Sequence, residues 1–130
     1  MNWVDEMITK MELSVNGVME IKIGDQLVVA KISLDVVEYF KANRALLMKV
    51  GKDVFRDFLL LINEKKQEQA FNLLLARMDA EDIIARLQAN AGSLSEQTTT
   101  NEQFVQSITH FALYTLTPTL LKVLMGMLLA

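Results

Sequence analysis

The spacing of apolar residues changes twice along the first third of the chain. From Trp3 to Met11 they recur every three to four positions, which is typical of one face of a short helix. After Met11, apolar and polar residues alternate, and Asn16-Gly17 and Gly24-Asp25 are turn sequences. This alternation predicts an antiparallel β-meander over about residues 11–32. An alternative stays open, in which the first helix continues to about residue 16 and a single hairpin forms.

The chain that follows has the spacing of helices. Ser33 is suited to cap the first of them, and apolar residues then recur at helical intervals up to Leu61. Gly51 interrupts this stretch, and whether it divides the helix over 34–63 or only bends it stays open. A further apolar stripe ends at Asp79, where acidic residues predict the start of a new helix and hence an αα-hairpin.

Capping signals mark the last helices. Asn90-Ala91-Gly92 ends one helix, Thr99 with Glu102 forms a capping box for the next, and Thr117-Pro118 starts the last. The sequence therefore predicts a mainly α (α+β) fold. A short N-terminal antiparallel β-meander or hairpin precedes a bundle of four to six helices, which begins at about residue 34. We expect one domain over residues 1–130.

Composition narrows the class of protein. The chain has 130 residues, of which 52% are hydrophobic and 22% are charged, and this excludes a disordered chain. It has no cysteine, which excludes a disulfide framework, cysteine-ligated metals and a thiol nucleophile. Its net charge of −3 does not favour nucleic-acid binding. Because no phosphate-binding loop, hydrolase motif or metal-ligand spacing occurs, we expect no enzymatic activity, cofactor or metal.

The first residues of the chain indicate where in the cell the protein is located. Asp5 and Glu6 stand where a secretory signal would carry basic and apolar residues. We therefore expect a cytoplasmic protein.

The C-terminal part of the chain is nearly uncharged. Beyond Arg86, the charged residues are Glu96, Glu102 and Lys122. The last helix is apolar on every side, which is more than one neighbouring face of a small subunit can cover. We therefore predict that it forms an interface, most simply in a homodimer. The predicted interface residues are Leu120, Leu121, Leu124, Met125, Met127, Leu128 and Leu129.

The apolar stretch over residues 111–130 is also long enough to cross a bilayer. Lys122 and the break at Thr117-Pro118 offset its leucines on the insertion scale, so a membrane span is not favoured. Reversible contact of the last helices with a membrane stays open as the alternative.

Two further candidate sites are weaker. His110 is the single histidine, and with no second ligand at metal-binding spacing we expect it to be buried or to lie at an interface whose assembly depends on pH. A basic stripe would form if the helix continued through Gly51. It is the best candidate for an anionic partner, although a solvated face is the favoured interpretation. Its residues are Lys41, Arg44, Lys49, Lys52 and Arg56.

The sequence thus predicts a non-catalytic assembly or adaptor protein that acts through protein–protein interaction. Its partner would be a second copy or another protein, with a dimer favoured and nucleic acid not favoured. The alternative function is a peripheral membrane protein anchored by its C-terminal helices. A third is a small-ligand-binding protein or an enzyme with a site near His110.

Overall fold

The computed structural model describes residues 1–15, 17–89 and 95–129. Their order is helix, hairpin, and then a series of helices, so the mainly α prediction with a small β part is confirmed. Two predicted signals lie wholly or partly outside the described residues. They are the turn at Asn16-Gly17 and the helix end at Asn90-Ala91-Gly92.

The first helix is longer than the meander prediction allows. Helix α1 covers Trp3–Leu13, and the side chain of Asn2 accepts a hydrogen bond from the Asp5 backbone N–H at 2.9 Å. Its C-terminal cap is Ser14, whose N–H bonds to Met11 O. The strand expected to start near residue 11 therefore does not form, and the single-hairpin alternative is correct.

The hairpin consists of β1, Val18–Ile23, and β2, Gln26–Lys31. The strands are antiparallel, and their register pairs Ile21 with Val28. The predicted turn at Gly24-Asp25 is confirmed, with Gly24 at a φ of 61°. Alternation along the strands directs Met19, Ile21 and Ile23 to one face, because side-chain direction repeats every two residues.

Three consecutive helices follow, which settles the question of the helix over 34–63. They are α2, Leu34–Ala42, α3, Arg44–Val50, and α4, Lys52–Asn63. Ser33 caps α2 as predicted, because its hydroxyl accepts a hydrogen bond from Val36 N. Gly51 divides α3 from α4 with φ 90° and ψ 155°, a conformation that is essentially restricted to glycine.

Helices α5, Gln67–Ala89, and α6, Ser95–His110, pack against each other. The predicted division at Asp79 is wrong, because no glycine or proline interrupts α5 there and the Asp79 carboxylate bonds to α6 instead of capping a helix. The predicted helix start at Thr99 is also wrong, since α6 begins at Ser95.

The end of the chain follows its capping signals more closely. A π-helical segment covers Phe111–Thr115, and Leu116 N bonds to Phe111 O at 3.0 Å. Helix α7, Pro118–Leu129, then begins with proline in its first turn as predicted, and Thr117 Oγ1 accepts a hydrogen bond from Leu120 N at 3.1 Å.

A chain of aromatic rings joins the N-terminal helices to the π-helical segment. Trp3 lies 5.7 Å from Phe55, and Phe40 lies 6.1 Å from Phe55 and 5.7 Å from Phe111, measured between ring centroids. Separations of this size are favourable for aromatic pairs, and the three phenylalanines are buried. The core thus has one aromatic part shared by α1, α2, α4 and the π-helical segment.

Replacing Gly51 by alanine is expected to lower the free energy of unfolding by about 1–3 kcal/mol, because the new side chain penalises this backbone conformation. The added Cβ would lie 3.8 Å from Arg77 Nη2, so collision contributes little. Urea unfolding followed by circular dichroism measures the loss. Gly17→Ala is the control, since a Cβ there meets nothing closer than 3.5 Å and Gly17 has no positive φ. Equal losses in both variants would contradict the backbone explanation.

Candidate functional site

Helix α7 is covered mainly by its own chain. It packs against α4 and against both strands of the hairpin. The expectation that the apolar side chains of α7 exceed what one subunit can cover is therefore wrong for five of the seven predicted interface residues. These five are Leu120, Leu121, Leu124, Met125 and Leu128, each at most 8% exposed. Met127 is partly buried, and Leu129 is 64% exposed at the end of the helix.

An apolar groove of about 340 Å³ lies between the hairpin, α4 and α7. Each element contributes one large apolar side chain that is still exposed to solvent: Ile23 at 37%, Leu60 at 39% and Leu129 at 64%. Val28 and Met125 complete most of its apolar wall. The groove is thus the place where apolar surface from three elements converges.

Gly126 sets how closely the hairpin approaches α7. A Cβ at this position would lie 2.9 Å from Ile21 Cδ1 and 3.3 Å from Ile23 Cδ1. Because glycine has no side chain, the two isoleucines pack on the backbone of α7, and Ile23 forms a wall of the groove.

The described part of the chain contributes two charged residues to the lining of the groove, and both are cations. Arg56 comes from α4 and forms ion pairs with Asp53 at 3.6 Å and Asp57 at 3.4 Å. Lys122 comes from the exposed side of α7, and no acidic group among the described residues lies within ion-pair distance of it. The groove therefore combines an apolar interior with positive charge at its edge.

A second depression, of about 490 Å³, lies between α1 and the other end of the hairpin. Its apolar residues include Leu13 and Val18, but Lys10 and Glu20 also line it. Its charges have both signs, so it presents no single electrostatic preference.

The predicted basic stripe does not exist as a continuous surface. Its residues are divided among α2, α3 and α4 by the breaks at Asn43 and Gly51. Lys41 pairs with Glu12 at 2.9 Å, and Arg44 makes two hydrogen bonds to Asp5 at 2.5 and 2.7 Å. Lys49 and Arg56 have acidic partners of their own, and Lys52 is not free either. Lys41, Arg44 and Lys49 thus join elements of the fold, whereas Arg56 pairs within α4. Of the five, only Arg56 lies at the groove.

His110 is exposed, so its predicted burial is wrong. His110 directly precedes the π-helical segment, and the centroid of its ring lies 4.7 Å from that of Tyr114. Tyr114 is also exposed. The side chain of His110 faces outward because α6 and the π-helical segment bury Phe104, Ile108 and Phe111 on the other side. A role for His110 at an interface stays a prediction.

A buried polar cluster, which the sequence analysis did not identify, joins α3, α5 and α6. Asn101 is 1% exposed and donates hydrogen bonds to Asp79 at 2.9 Å and to Asp82 at 2.6 Å. Lys49 forms an ion pair with Asp82 and donates to Asn101 Oδ1 at 3.1 Å. Because these groups satisfy one another, the cluster fixes helix positions and presents no unpaired group for chemistry.

The electrostatics of Asp82 agree with this structural role. Burial by itself would raise the pKa of the Asp82 carboxyl, but hydrogen bonds from Lys49 and Asn101 and the charges of Lys49 and Arg86 outweigh burial. The net pKa is lowered, so Asp82 stays charged in the folded protein.

None of the helices in the described parts of the chain combines the length and apolarity needed to cross a membrane. No protein-family model matches the sequence, and neither a curated protein nor a solved structure shows significant similarity to it. A function must therefore be argued from the surface of the protein itself.

Replacing Lys49 by methionine is expected to lower the free energy of unfolding near neutral pH by about 3 kcal/mol, because the buried Asp82 carboxylate loses its cation. The native pKa of Asp82 lies below the ordinary value of 3.8, so the stability that this pair provides is present above that value and is lost as pH falls through the native pKa. The difference between the native protein and the variant should therefore shrink at about pH 3.

Urea unfolding at both pH values measures this difference. Arg44→Met removes the exposed pair with Asp5 and serves as the control, with a much smaller expected loss at neutral pH. A loss in Lys49→Met that is the same at both pH values would contradict the assigned role of Asp82.

Proposed function

We propose that this chain is a non-catalytic adaptor protein that binds a partner protein through the groove between the hairpin, α4 and α7. The observation that supports this is the convergence of Ile23, Leu60 and Leu129 on one concave surface. Exposed apolar side chains that stand singly are ordinary, whereas a concave cluster from three elements is typical of binding sites.

The size of the groove suits side chains of a protein partner. A cavity of 150 Å³ holds one benzene molecule, so a volume of about 340 Å³ takes about two leucine-sized or phenylalanine-sized groups. A few anchor side chains that fill well-packed, desolvated pockets supply much of the free energy of protein–protein binding. A flat lipid surface cannot fill a concavity in this way, which is why we favour a protein partner over a membrane.

The lining supports binding more than catalysis. Its polar side chains among the described residues are Gln26, Arg56, Asn63 and Lys122. No carboxylate, histidine or hydroxyl group is among them, so the described lining holds no acid–base pair. The cytoplasmic location stays a prediction.

Site-specific photo-crosslinking tests the docking surface in the cells that make the protein. With p-benzoylphenylalanine in place of Asn63, an exposed residue at the edge of the groove, we expect one discrete protein adduct that mass spectrometry identifies. The same amino acid in place of Asn72, an exposed residue of α5 outside the groove lining, is the matched control.

Leu60→Asp is expected to remove the adduct at position 63, because it places a buried charge in the apolar contact. Because Leu60 is partly exposed, this variant is expected to fold, and circular dichroism checks that it does. Absence of an adduct at position 63, or the same adducts at positions 63 and 72, would contradict the proposed function.

A further inference from the structure

We infer that the docking segment of the partner is an acidic amphipathic helix, with apolar side chains that enter the groove and a carboxylate that pairs with Lys122. The inference rests on the proposed function and specifies its partner. It depends on the charges at the groove and on the shape of the walls.

Lys122 is the main electrostatic feature of the groove. It is the one charged residue of α7, and it lies on the exposed side of an otherwise apolar helix, at the groove. Among the described residues no carboxylate neutralises it, although the other cations that were predicted from the sequence to form a stripe all have partners. A carboxylate from an occupant of the groove would supply that partner in a partly dehydrated place, where an ion pair contributes to specificity.

Arg56 adds to the same preference from the opposite wall. Its pairs with the exposed Asp53 and Asp57 are long, at 3.6 and 3.4 Å, so its guanidinium can still donate hydrogen bonds to a further carboxylate. The two carboxylates belong to α4 and are not part of the groove lining. The groove therefore presents positive charge on a chain whose net charge is −3.

The walls favour a helix as the occupant. Two of the three walls are helices, α4 and α7, which pack against each other, and the ridges of a third helix fit between two such neighbours. Leucine-type side chains at positions i, i+3, i+4 and i+7 lie on one face of a helix, and this is the pattern by which amphipathic helices bind apolar grooves.

A second copy of this chain suits the groove less well. A two-fold symmetric contact places the same patch of both subunits together. Lys122 and Arg56 of one subunit would then approach the same cations of the other, and like charges in such a contact are unfavourable. The predicted homodimer, if it forms, therefore uses another surface.

Two synthetic helical peptides provide the test with the full chain. Both carry leucines at i, i+3, i+4 and i+7, and their other positions are glutamate and alanine in one peptide and lysine and alanine in the other. Fluorescence anisotropy at low salt measures both dissociation constants. We expect the glutamate peptide to bind about tenfold more tightly than the lysine peptide, as one favourable ion pair in place of one repulsion implies.

Charge reversal at Lys122 gives the decisive comparison. Lys122→Glu is expected to abolish or reverse the preference between the two peptides. Lys31→Glu changes the net charge by the same amount on an exposed residue of β2 outside the groove lining, and it should leave the preference unchanged. Leu60→Asp should weaken the binding of both peptides.

The outcomes separate this inference from the proposed function. If both peptides bound with equal affinity and Leu60→Asp abolished the binding of both, the inference of an acidic partner would be wrong and the docking groove would still be supported. Binding of neither peptide overturns the inference as well, while the crosslink at position 63 still decides the proposed function. Two further results would overturn the inference. If the protein bound phosphatidylcholine vesicles that contain phosphatidylserine and Lys122→Glu abolished this binding, the occupant would be a membrane. If the protein self-associated in sedimentation and Lys122→Glu abolished the association, the occupant would be a second copy.

Discussion

The direct contact between the hairpin and the backbone of α7 at Gly126 is the constraint on which the candidate site depends. Ile21 and Ile23 lie where a side chain at position 126 would stand, so the strands approach the helix more closely than a pair of side chains would permit. Together with α4, the hairpin covers most of the apolar surface of α7. The close approach also places the end of β1 beside α4, and the remaining gap between the three elements is the groove.

Two groups of helices are held together by different kinds of interaction. Helices α4 and α7 join through apolar side chains, which pack without strong direction. Helices α3, α5 and α6 join through Lys49, Asp82 and Asn101, whose hydrogen bonds have defined partners and distances. A directional network permits fewer relative positions of the helices than an apolar contact does.

Local signals predicted the parts of the fold that depend on neighbouring residues. The turn at Gly24-Asp25, the cap at Ser33 and the start of α7 at Thr117-Pro118 were all correct, because turn and cap chemistry acts over three or four residues. Asp79 failed as a helix signal because its carboxylate serves a contact with α6, which the sequence does not reveal. The groove combines three distant segments, and the sequence does not reveal that they meet. Four of its residues nevertheless stood out in the sequence: Met125 and Leu129 as predicted interface residues, Arg56 in the predicted stripe and Lys122 as a lone charge in an apolar helix.

The hairpin and α7 are separated by residues 32–117, yet each covers the other. During synthesis on the ribosome the strands emerge before α7, and their apolar face lacks this cover until α7 has left the exit tunnel. An isolated two-stranded hairpin is only marginally stable in water, so the nascent strands do not form a stable structure in that interval. Chaperones that shield growing chains would therefore meet β1 and β2 in the interval before α7 has emerged.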